Sequence, residues 1–153
     1  MSNDESVGNI IQKVYQDKIS DLLLKNSNLT RIQFETFVID LLTETMSDKK
    51  LSFKEKTYFR RNKVSRGSFS RTLGQARRRI ISSIYTIVLL SYIGVFDSQP
   101  FDDYQVLAEK LREYYNSIEK LDTTQNKQQL KRLENELLDG IINLAKPTSL
   151  RIM

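Results

Sequence analysis

Apolar residues recur at three- and four-residue steps along almost the whole chain, and no segment alternates with period two over a convincing length. Tyr104, Leu107, Leu111, Tyr114, Ile118 and Leu121 step by 3, 4, 3, 4 and 3, the seam of a helix that packs along another helix. A strand needs its inward residues two apart, so this pattern will not settle into a sheet. Two prolines and five glycines in 153 residues leave little material for tight turns. The expected fold class is all-α.

The first helix is expected from Asp4 to Lys25, on Val7, Ile10, Ile11, Val14, Ile19 and Leu22. Asn26 to Asn28 form a turn, and Thr30 is a good N-cap for a second helix that runs to about Met46. Ser47 to Lys50 is a polar break. Ser52 with Glu55 three residues on is a capping box that opens a short helix to about Arg61. Asn62 suits a left-handed turn residue. A long helix runs from Ser65 or Gly67 to Ile93, with Gly94 as its stop. Asp97 to Pro100 is a loop, and Pro100 suits the first turn of the fifth helix. Asp122 to Asn126 is a short turn. The last helix carries Leu130, Leu133, Leu137, Ile141 and Leu144, and Pro147 ends it.

The chain contains no Cys, His or Trp. That excludes a disulfide, a thiolate nucleophile, a zinc finger and a His-based triad. Asp102 and Asp103 lie in a first helical turn, where the dipole favours negative charge. Glu134 and Glu136 flank a leucine seam. Neither pair reads as catalytic or metal-binding, so no enzyme and no cofactor is expected. The uncharged run Ile80 to Phe96 follows Arg77, Arg78 and Arg79, which superficially resembles a membrane span with a positive flank. It is shorter than the roughly 20 residues a span needs and carries Ser82, Ser83, Thr86 and Ser91. A buried central helix is expected there. The opening MSNDESVGN lacks signal-peptide character, so a cytoplasmic location is expected.

The net charge of +5 conceals its pattern. Residues 1–48 hold 4 bases and 8 acids, and residues 80–153 hold 8 bases and 10 acids. Residues 49–79 hold 12 bases and one acid, Glu55. A basic block between two mildly acidic segments is the footprint of a polyanion site.

Residues 51–80 therefore carry the chemistry. A short capped helix, a turn and a basic helix stand in the order of a helix-turn-helix. On the basic helix, Phe69, Leu73, Ala76 and Ile80 share one side and should pack inward. Ser68, Arg71, Gln75 and Arg78 share the other. Arg and Gln side chains fit the guanine and adenine edges of the major groove. Arg66, Ser68, Arg71, Gln75 and Arg78 are the expected base-reading residues. Lys54, Arg60, Arg61, Lys63, Ser65, Ser70, Arg77 and Arg79 are expected on phosphates, where most of the affinity arises. Gly67 and Gly74 flank the outer face and would let a backbone or base approach. Phe53, Tyr58 and Phe59 have two readings, as core residues or as a stacking platform for bases; periodicity favours the core.

Val64 to Phe69, then Leu73, then Ala76 to Ile80, resembles the recognition helix of the promoter-reading domain of bacterial sigma factors and related helix-turn-helix regulators. The resemblance covers about seventeen residues. Thr57 to Lys63 depart from it, lacking the family's small helix residue and turn glycine. What the resemblance implies is a DNA-reading mode, without a wing, since residues after Ile80 continue as helix.

The expected organisation is a helical domain at 1–98 containing the helix-turn-helix, a helical hairpin at 99–146 and a flexible tail at 147–153. The expected function is sequence-specific binding of double-stranded DNA by a homodimer, as a transcriptional regulator or nucleoid-associated protein. The dimer would be held through the hairpin, the first helix or the Ile80 to Phe96 helix. The alternative is a helical interaction protein whose basic face binds RNA, an acidic protein or a membrane surface.

Overall fold

A computed structural model of the chain describes residues 2–46, 50–96, 100–118 and 124–145. Within them the chain forms α1 (Ser2–Gln16), α2 (Lys18–Asn26), α3 (Arg31–Met46), α4 (Phe53–Lys56), a 3-10 turn (Thr57–Phe59), α5 (Arg66–Tyr92), α6 (Pro100–Ile118) and α7 (Thr124–Ala145), and no strand. The expected all-α class is what the chain adopts. The break at 47–49, the loop at 97–99, the first part of the 122–126 turn, Leu121, Pro147 and the 147–153 tail lie outside the described residues. Among the described residues, no helix is long and apolar enough to cross a membrane.

Local chemistry sets most boundaries. Thr30 Oγ1 accepts from the Gln33 amide at 3.2 Å, and Gln33 Oε1 accepts from the Thr30 amide at 3.1 Å. This reciprocal pair opens α3. Ser52 and Glu55 form the same device at α4, and Ser65 Oγ accepts from the Ser68 amide at 3.1 Å to open α5. At the far end of α5, Gly94 has φ of +75°. Its amide donates to Ser91 O and the Val95 amide to Leu90 O, a Schellman closure that needs a residue free of Cβ strain.

The Ile80 to Phe96 helix, expected to be buried, is exposed at Ile81, Ile84, Tyr85, Val88, Leu89, Tyr92 and Ile93, and two local expectations are corrected as well. The single helix expected over 4–25 is two. Asp17 is extended (φ −77°, ψ 126°), and its carboxylate accepts from the Ser20 amide at 2.9 Å and the Ser20 hydroxyl at 2.8 Å. Asp17 thus caps α2. Asn62 is not left-handed, because no described non-glycine residue has positive φ. The chain instead leaves the 3-10 turn through an extended Arg60 (φ −71°, ψ 135°).

The chain divides into two compact units, residues 1–86 and 87–153, with the division inside α5. In the first, Ile39 of α3 and Phe69 and Leu73 of α5 form a buried centre. Ile11, Phe37, Phe53, Phe59 and Val64 pack around it, and the rings of Phe53 and Phe69 lie 6.1 Å apart. The short helix, the 3-10 turn and the start of α5 thereby share one core with α1 and α3. Phe53 and Phe59 belong to that core, whereas Tyr58 is exposed. In the second unit α6 and α7 pair antiparallel. Tyr104 Oη reaches Leu144 O, Leu107 lies against Gly140, and Tyr114 Oη reaches Glu134. Tyr114, Leu137 and Ile141 are buried.

Phe69→Ala removes the largest fully buried apolar side chain of the first core. A loss of about 3–5 kcal/mol is expected in urea unfolding. Ile32→Ala, at an exposed site, should stay within about 0.5 kcal/mol.

Candidate nucleic-acid interface

The basic block faces a helix that carries its counter-charges. Asp40 of α3 is buried, and both carboxylate oxygens are engaged. Oδ1 accepts from Lys56 Nζ at 2.6 Å and Oδ2 from Arg77 Nη2 at 2.6 Å. Lys56 is only 2% exposed and also reaches Glu44 at 3.3 Å. One helical turn away, Arg60 turns inward. Its Nη1 donates to Ile32 O at 3.0 Å and Thr36 Oγ1 at 3.1 Å, and lies 3.5 Å from Glu35 Oε2. Arg60 Nε is buried and meets no hydrogen-bond partner among the described residues. The site's connection therefore hangs on α3 by buried charge as well as by its apolar core.

These pairings redistribute the residues expected on phosphates. Arg60 is a core residue and is corrected from that role. Arg77 is half exposed but holds Asp40. Arg79 Nη1 donates to Asn28 O at 2.7 Å. Ser65 is the α5 cap. Lys54, Arg61, Lys63 and Ser70 are exposed. Arg61 is anchored: its amide donates to Glu35 Oε1 at 3.0 Å, and its guanidinium lies 5.9 Å from the Tyr15 ring centre.

Of the expected base readers, Arg66, Ser68, Arg71, Gln75 and Arg78 are all exposed, and Phe69, Leu73 and Ala76 are buried behind them. The helix thus has a packed side and a polar side, as its wheel requires. Gln75 Oε1 accepts from Gln33 Nε2 at 3.4 Å, and a carbonyl oxygen keeps a second lone pair for another donor. A Cβ placed on Gly67 would meet nothing within 4 Å, so the backbone there is open. Lys54, Lys63, Arg66, Arg71 and Arg78 form no ion pair with a described residue.

Sequence reasoning missed the contribution of the α2–α3 turn. Asn28 and Thr30 line a groove of about 510 Å³ with Arg78, Arg79 and Ser82. The signal available was Thr30 as a cap; its neighbourhood with α5 is a long-range fact. Tyr15 was missed too. Arg31 lies 4.1 Å over its ring, and its hydroxyl lies 3.2 Å from Glu35 Oε2. Burial, then the negative charge and hydrogen bond of Glu35, push its pKa from 10.0 to about 12. Among the described residues, no group of three or more acidic, His or Cys side chains gathers to hold a metal ion.

Two measurements follow. Asp40→Asn leaves buried Lys56 with only the half-exposed Glu44 as counter-charge among the described residues and should lower stability by about 3–5 kcal/mol. In an absorbance titration one tyrosine should ionise near pH 12, and Tyr15→Phe should remove that component. The fold favours the neutral phenol, so the stability it contributes is whole below pH 10 and is lost as pH rises towards 12. Comparison with known proteins finds no matching family, no curated relative and no matching solved structure, so the reading of this surface rests on its own residues.

Proposed function

We propose that this chain binds double-stranded DNA through α5 and the connection before it, as a dimeric transcriptional regulator or nucleoid-associated protein. The observation that carries the reading is a sorting of charge. The carboxylates of α3 take up Lys56, Arg60 and Arg77. The cations left exposed, with Gln75 and Ser68 among them, fall on the outer side of α5 and the segment leading into it. Glu55, the lone acid of residues 49–79, is turned back into its own capping box. Hydrogen bonding to Ser52 holds its carboxyl below the ordinary range.

Such a surface attracts phosphate strongly, and its Arg and Gln side chains supply the paired donors and acceptors that base edges require. Lys54, Arg61 and Lys63 supply sequence-independent affinity. Arg66, Arg71, Gln75 and Arg78 supply discrimination.

Selection from a random duplex pool at moderate salt, with sequencing of the bound fraction, tests this. An enriched motif with two-fold symmetry is expected. Arg71→Ala or Gln75→Ala should cost about 1–3 kcal/mol on the preferred site and flatten the preference. Lys63→Ala should weaken all duplexes alike and reduce the salt slope by about one. Arg60→Ala should act on stability first. Binding confined to RNA or to an acidic protein would sink the DNA reading.

A further inference from the structure

Three segments of the sequence offer an apolar stripe to a second chain, and one of them is exposed along its length. The α1–α2 stripe is used inside the first unit: Val7 is 3% and Ile19 4% exposed, and Ile11 packs on the core. The α6 and α7 stripes bury Tyr114, Leu137 and Ile141 between themselves. The second half of α5 is different. Ile81, Ile84, Tyr85, Val88, Leu89 and Tyr92 are each at least 48% exposed, and Tyr92 is 87% exposed. At about 100° per residue they fall on one side of the helix. Together they expose on the order of 700 Å², above the few hundred that a monomer leaves in one patch and close to the roughly 800 Å² each partner buries in a stable interface.

The occupant of this face is narrowed by charge. Residues 80–96 carry no ionisable acid or base apart from tyrosine. A charged partner would find nothing to pair with there, whereas an identical face offers the same uncharged apolar surface in return. We infer that this face is an isologous interface, in which the α5 helices of two copies of the chain pair antiparallel and cross near Ile87. A parallel pairing would bring the two Arg77–Arg79 clusters together, and the antiparallel one sets them at opposite ends.

The dimer stands on the apolar face alone, and its fit to DNA rests on the function proposed above. In an antiparallel pair the two-fold axis is perpendicular to the plane of the two helices. Any face a quarter-turn from the contact then points the same way in both copies. Ser68, Arg71, Gln75 and Arg78 centre about 90° around α5 from the apolar face. At about 1.5 Å per residue, Gln75 stands about 18 Å along the helix from the crossing, so its two copies stand about 36 Å apart. Half-sites one turn of B-DNA apart are spaced by roughly 34–36 Å.

Sedimentation equilibrium of the full chain without DNA is the test. The expected mass is twice 17.9 kDa at tens of micromolar. Val88→Glu should sediment as a monomer with unchanged far-ultraviolet circular dichroism. Since the chain has no cysteine, single substitutions report the orientation. Val88→Cys, beside the axis, should cross-link to itself under mild oxidation, and Ile81→Cys should not. A monomeric wild type, with the face left bare or covered by its own hairpin or by lipid, overturns the inference. So does a Val88→Glu variant that remains dimeric, or self-cross-linking at both positions. Loss of duplex binding by an intact dimer would strike only the DNA reading.

Discussion

The carboxylate of Asp40 joins three segments that lie far apart in the chain. Through Lys56 it fixes α4, through Arg77 it fixes the middle of α5, and its own backbone is part of α3. Removing such a charge from water is expensive, and the cost is recovered only because both oxygens meet a cation at short range. The neighbouring core residues Ile39, Phe69 and Leu73 supply the apolar contact, but a greasy contact tolerates sliding. A doubly bridged carboxylate does not. It sets where along α3 the short helix sits and how α5 is rotated, and that rotation decides which side chains of α5 meet solvent.

The same network shows why charge counting overstates a binding surface. Twelve bases in residues 49–79 suggest a uniformly cationic block. Folding gives three of them to the carboxylates of α3 and ties Arg79 to a backbone carbonyl. What remains outside is smaller. The side chains of Arg71, Gln75 and Arg78 stand on a rigid helix, and Arg61 is braced by Glu35 and Tyr15.

Features decided within a few residues were legible in the sequence. The Ser52–Glu55 capping box, the Thr30 cap, the Gly94 stop and the inward side of α5 all depend on neighbours in the chain, and the structure has each of them. The split at Asp17 was nearly legible. Val14 and Ile19 are five apart, one more than a helical stripe allows, and Asp17 precedes Ser20 by the spacing of a cap. The burial of Arg60 was not legible, because Ile32, Thr36 and Glu35, which receive it, lie 24 to 28 residues earlier. Nor was the exposure of Ile81, Ile84, Tyr85, Val88, Leu89 and Tyr92 on α5, because an uncharged helix reads as buried.

The buried ions also give this small fold a distinctive response to temperature. Hydration of charged groups carries a strongly negative entropy, so the cost of holding Asp40 and Lys56 away from water falls on heating. The stabilisation from apolar burial meanwhile levels off. The joint between α3, α4 and α5 therefore gains on the surrounding core as the protein warms.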